Sequence, residues 1–201
     1  MSKERDDHLP FRVPDSLKKD MQAHTNAILK VNTLLDDEAG MLRMLEEDGE
    51  DIIRYLGTSP RSFTAYCRTL TAPVVRRLIE KGVDPRHIDK TSSEATCLGQ
   101  AVLNPDPEVV GALLQAGCDP YGPYRNDDNR AHSTLEGCLL GTFPTQFALL
   151  DQMFELDPSV IHNDKFKAIV LRHAKGIAWM EQILLNETTA SVAGPHRSMR
   201  L

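Results

Sequence analysis

Long hydrophobic runs are missing from this chain: no apolar stretch approaches the roughly 18 residues that a membrane span requires. The first residues, Met1 to His8, are charged and lack the apolar core of a signal peptide. A surplus of positive charge is missing too. Twenty-three Lys and Arg against 29 Asp and Glu leave a formal charge of −6, which argues against nucleic acid or an anionic membrane as partner. No C-x-x-C occurs. The cysteines Cys67, Cys97, Cys118 and Cys138 stand apart in apolar contexts, so neither a zinc site nor a redox motif is expected. Buried free thiols are expected instead, and they point to a reducing compartment, most simply the cytosol. Catalytic signatures are lacking as well: there is no G-x-S-x-G, no Walker loop, no H-E-x-x-H and no G-x-G-x-x-G. The histidines are scattered, with no i, i+4 pair. The expectation is a protein that is not an enzyme, with no catalytic residue, metal or cofactor.

What is present is a repeat. Two apolar residues, two variable ones and two more apolar residues recur as Val74-Val75-x-x-Leu78-Ile79, Val109-Val110-x-x-Leu113-Leu114, Leu149-Leu150-x-x-Met153-Phe154 and Trp179-Met180-x-x-Ile183-Leu184. Their starts lie 35, 40 and 30 residues apart. On a helix, positions i, i+1, i+4 and i+5 form one broad stripe, so each copy predicts a helix with one buried face. A helical unit returning every 30 to 40 residues predicts a stacked array whose neighbours bury each other's faces. In it Trp179 is a core residue of the last helix.

The remaining segments fall around that array. Residues 1–14, charged and carrying Pro10 and Pro14, read as a flexible leader. Residues 15–57 read as an N-terminal helical capping region. There Asp15-Ser16 supplies a cap and Leu17, Met21, Ile28, Val31 and Leu35 supply the apolar face of a helix over about 15–35. Two short helices with acidic faces follow, bearing Asp36 to Glu38, Glu46 to Asp48, Glu50 and Asp51. Those faces are either solvated or a second site for a basic partner. Residues 58–186 read as about four helix pairs. Ser59-Pro60 and Pro73 open the first pair, and Lys81-Gly82 closes it with glycine where a left-handed cap is needed. Gly82 and Gly117, and Asp84 and Asp119, are each 35 residues apart. Asp164 reads as the cap of a later helix. Residues 187–201 read as a flexible tail, basic from Gly194 onward.

Thr96-Cys97-Leu98-Gly99-Gln100-Ala101, followed by the segment from Glu108 to Asp119 (Glu-Val-Val-Gly-Ala-Leu-Leu-Gln-Ala-Gly-Cys-Asp), resembles the ankyrin repeat. The Thr, Leu and Ala of that family's T-P-L-H-x-A opening are kept, with Cys97 for Pro and Gly99 for His. A weaker copy runs from Ser133 to Cys138, with Glu136 in place of the His. The resemblance spans about residues 60–185. It implies an all-α, ankyrin-type solenoid of stacked antiparallel helix pairs that serves as a protein-binding surface.

In such a stack, partners are read by the connections between repeats and by the first helices. The connection after the first pair offers Arg86, His87, Asp89 and Lys90. The next one, over 119–132, is unusually long and offers Tyr121, Tyr124, Arg125, Asp127 and Asp128, with Glu136 behind. The alternative is a solvated loop whose tyrosines pack back on the stack. The resulting expectation is a module that binds one protein partner on its concave face. A small inhibitor or immunity-type protein masking a basic toxin or enzyme is its acidic form, and an adaptor bridging two proteins is its competitor.

Overall fold

A computed structural model describes residues 14–47, 49–58, 60–86, 88–89, 95–125, 131–141 and 147–192. Helix dominates, and the fold is all-α in class. Helix α1 (Asp15–Thr33) precedes α2 (Glu38–Glu47) and α3 (Gly49–Thr58), then α4 (Pro60–Tyr66) and α5 (Ala72–Glu80). A pairing of β1 (Ile88–Asp89) with β2 (Ala95–Thr96) leads into α6 (Cys97–Ala101) and α7 (Glu108–Gln115). A second pairing, β3 (Pro123–Arg125) with β4 (Ala131–Ser133), leads into α8 (Thr134–Leu140) and α9 (Ala148–Leu156). A 3-10 turn (Pro158–His162), α10 (Asp164–Val170) and α11 (Ala174–Val192) complete the described chain. None of these helices is long and apolar enough to cross a membrane.

The apolar stripes decide which helices meet. α2, α5, α7 and α9 touch in succession, while α4 meets α6 and α8 meets α10. The first three stripe positions of the copies at 74, 109 and 149 are buried: Val74, Val75 and Leu78; Val109, Val110 and Leu113; Leu149, Leu150 and Met153. The fourth position, Ile79, Leu114 or Phe154, is partly buried against the same core. The last copy joins through Trp179, whose indole Nε1 donates to Asp151 Oδ1 at 2.7 Å while its ring meets Phe154 edge-on at 6.1 Å. Its Leu184 is 47% exposed.

Side-chain hydrogen bonds join segments 32 to 34 residues apart at three places along the chain. Tyr66 Oη donates to Asn32 Oδ1 34 residues away, and Arg76 Nη2 to Glu108 Oε2 32 residues away. Lys175 Nζ donates to the Gly141 carbonyl across 34 residues. The helix ends at Gly82 and Gly117 match each other. Their φ values are +101° and +84°, a region costly for any residue with a Cβ. Val83 N–H reaches the Leu78 carbonyl and Cys118 N–H reaches that of Leu113, each at 3.0 Å, as a Schellman ending requires.

Several expectations change. Pro14, not Asp15-Ser16, precedes the first turn of α1, and no side chain caps it; Asp15 takes an ion pair from Lys18 instead. Leu17 and Met21 are exposed, because α1 buries only Ala27 and Val31, in its C-terminal half. Asn163, not Asp164, caps α10, its Oδ1 accepting from Phe166 N–H at 3.1 Å. α11 runs on to Val192, past the residue-186 boundary, because residues 187–192 contain no Gly or Pro to stop it. The expected leader, 1–14, lies almost wholly outside the described residues, as does the tail beyond Val192.

Candidate functional site

The connection over 119–132 is not an open loop at its two ends but an antiparallel pairing. Pro123 stands opposite Ser133, Tyr124 opposite His132 and Arg125 opposite Ala131. The preceding connection repeats the device on a smaller scale, with Ile88 opposite Thr96 and Asp89 opposite Ala95. Each pairing ends on the residue that starts the next helix. Thr96 Oγ1 accepts from Gly99 N–H at 2.9 Å, and Ser133 Oγ accepts from Glu136 N–H at 3.2 Å. A side-chain cap of this kind contributes about 1 kcal/mol, and here it also sets the angle between hairpin and helix. Strand β2 lies against β3, so the two hairpins stand side by side.

The expected site residues divide accordingly. Arg86 enters the first hairpin, with its guanidinium held by Asp84: Nε donates to Oδ1 at 2.9 Å and Nη2 to Oδ2 at 3.2 Å. Asp84 thereby raises the Arg86 pKa. Asp89, Tyr124 and Arg125 occupy strand positions on the adjacent hairpins. His87, Lys90, Asp127 and Asp128 lie outside the described residues.

Tyr121 and Glu136 do not join that group. The Tyr121 ring is partly buried against the core, with Lys165 Nζ of α10 4.1 Å from its centroid. Burial raises the phenol's pKa, and the nearby Asp119 charge adds to it. Glu136 Oε1 faces the last unit, 3.6 Å from His173 Nε2 and 3.9 Å from Arg172 Nη2. Both partly buried residues thus face the helices that follow.

A crevice that sequence reading passed over opens at the base of the two hairpins. Its volume is about 150 Å³. Three segments line it: Pro85 and Arg86, Thr96 and Leu98, and Gly117 to Asp119 with Gly122. Leu98 and Cys118 are 1% and 7% exposed, so the floor is apolar. Burial pushes the Cys118 thiol up to about 12, and its Sγ–H donates to the Pro85 carbonyl at 3.4 Å. At neutral pH it is therefore a protonated packing group. The other cysteines are buried and free as well.

A broader groove of about 790 Å³ lies on the N-terminal helices, lined by Glu46, Glu47, Glu50 and Asp51 together with Lys30 and Arg54. Glu46 there accepts from Arg77 and, at 3.4 Å, from Lys81. The sequence signal for this groove was its acidic run; the crevice had none. Comparison with protein-family models, with curated proteins and with solved structures finds no match for this chain.

Proposed function

We propose that this chain is a non-enzymatic protein-binding module of ankyrin type, which takes its partner on the face carrying the two hairpins and the first helices. One observation carries this reading: β2 lies against β3, so connections some 35 residues apart in sequence present one continuous edge. Short hairpins anchored by capped helices are loops on a rigid scaffold, the arrangement in which recognition residues are held at low entropic cost. Arg86, Asp89, Tyr124 and Arg125 are the residues of that edge on which recognition rests. The repeated spacing of the inter-unit hydrogen bonds supports the solenoid part of the reading.

The formal charge of −6 suits a basic partner, and an inhibitor or immunity-type role masking a basic toxin or enzyme is the form this takes. Buried free thiols suit a cytosolic setting. The test is affinity capture from native lysate with the unaltered chain, with Tyr124→Ala/Arg125→Ala, and with Arg76→Ala on the opposite helix row. A partner held by the unaltered chain and by Arg76→Ala, yet lost by the double variant, is the expected result. Equal capture by all three removes the hairpin face as the site.

The adaptor reading has its own support in the acidic groove of the N-terminal helices. Under it, Glu47→Lys/Glu50→Lys loses one captured protein and keeps the other.

A further inference from the structure

We propose that the crevice between the two hairpin bases is an anchor pocket for one aromatic side chain of a protein partner. The inference rests on the hairpin face being the binding surface, and it adds the chemistry of the contact.

Size comes first. An enclosed apolar cavity of about 150 Å³ takes a benzene-sized guest, and the crevice, which opens to solvent, has about that volume. Polarity comes second, because the polar side chains around it are engaged within their own turns. Thr96 Oγ1 accepts from Gly99 N–H, and Asp119 Oδ1 accepts from Tyr121 N–H at 2.9 Å. The Cys118 thiol donates to Pro85, and Arg86 is bound edge-on to Asp84. What the pocket offers an occupant is therefore the apolar floor of Leu98, Cys118 and Pro85. The Asp119 carboxylate in the lining would repel an anionic occupant, and a polar group set against Leu98, Cys118 and Pro85 would be desolvated without a partner on that surface.

Arg86 then selects among apolar groups. A guanidinium whose N–H edge is used by a carboxylate keeps its two faces for stacking, and those faces favour a π system over an aliphatic chain. Aromatic anchors filling small pockets are also the groups that dominate interface energetics. The crevice is assembled from three segments of two successive units, so it exists only in the stacked fold.

The test is a titration of the 15N-labelled full chain, followed by amide chemical shifts. The probes are N-acetyl-phenylalaninamide, N-acetyl-leucinamide and N-acetyl-alaninamide at millimolar concentration. Saturating shifts confined to the amides of Arg86, Leu98, Cys118 and Gly122 are expected with the aromatic probe. The leucine analogue should bind about two- to fivefold more weakly, and the alanine analogue should give no saturable shift. Cys118→Leu, which fills the floor, should abolish the effect. Arg86→Ala, on the exposed rim, should equalise the aromatic and leucine probes and serves alone if Cys118→Leu does not fold. Absent or scattered shifts, equal binding of all three probes by the unaltered chain, or an unaltered response in both variants overturns the pocket. Because no partner is present, that failure is separate from a failed capture experiment, which would remove the face and leave the pocket's response intact.

Discussion

The side-chain amide of Asn104 donates 3.0 Å and 2.8 Å hydrogen bonds to the carbonyls of Cys67 and Leu70, across 37 and 34 residues. Those carbonyls lie in the turn between α4 and α5, where no continuing helix supplies them with donors. Its Oδ1 meanwhile accepts from Asp106 N–H at 2.9 Å, and Asp106 Oδ2 accepts from Ala72 N–H at 3.1 Å. One polar turn between α6 and α7 thus satisfies both the α4–α5 turn and the start of α5.

Replacement of Asn104, which is 3% exposed, by Ala therefore leaves two buried carbonyls short of a donor. The expected loss is about 2 kcal/mol or more in unfolding free energy, read as a lower urea midpoint. Asn104→Asp should lose at least as much at neutral pH, since a carboxylate only accepts and would face two carbonyls. An Asn104→Ala midpoint equal to that of the unaltered chain would show that water or backbone movement replaces the amide.

This staple also marks where sequence reading stops. The stripes at Val74, Val109 and Leu149, the glycine endings at Gly82 and Gly117, and the helix openers Thr96 and Ser133 are local patterns, and each sits where its own spacing placed it. Asn104 stands between Leu103 and the turn-forming Pro105-Asp106-Pro107, and only contact with a segment 34 residues earlier distinguishes it from a solvated loop residue. Strands two or three residues long are too short to show an alternating period, so the hairpins read as loops. In α1 the full apolar stripe was legible, but its length hid that only the half reaching α3 would find something to cover it. Of the site, the hairpin positions of Arg86, Asp89, Tyr124 and Arg125 were legible from their place between repeats. The contacts of Tyr121 and Glu136 were not legible, because Lys165 and His173, which face them, lie more than 35 residues onward.

Stability should depend on pH through Glu46. The hydrogen bond from Arg77 is the main reason its carboxyl lies below the ordinary value of 4.5, with the charges of Arg77 and Lys81 adding to it. A carboxyl whose folded pKa is depressed contributes stability that is complete above its unfolded pKa and is lost as pH falls through the lower folded value. Glu46→Gln removes the charge and keeps the shape. The gap in urea midpoint between Glu46→Gln and the unaltered chain should therefore be widest near neutral pH and narrow below pH 4.5. Salt should narrow it as well, because the groups are solvent-accessible. A gap that stays constant through the acid range would assign the effect to packing.

Two glycines test how closely the helices approach. A Cβ on Gly176 would overlap the carbonyl oxygen of Val170 and crowd its side chain, where α10 hands over to α11. That obstacle is backbone, held by the hydrogen bond from His173 N–H to the same carbonyl at 3.2 Å. A Cβ on Gly111 would overlap Gln152 Oε1, the far end of a flexible side chain on the next helix of the row. Gln152 can swing aside at the expense of its 2.8 Å bond to Glu155. Gly176→Ala should thus lose about 1–3 kcal/mol to overpacking. Gly111→Ala should fall within about 1 kcal/mol of the unaltered chain, since replacing a mid-helix glycine returns about that much. Thermal and urea unfolding of the two variants side by side decide the matter. If Gly111→Ala proves the more damaging, the α7 and α9 faces are packed too rigidly for Gln152 to move, and that contact is stiffer than the one between α10 and α11.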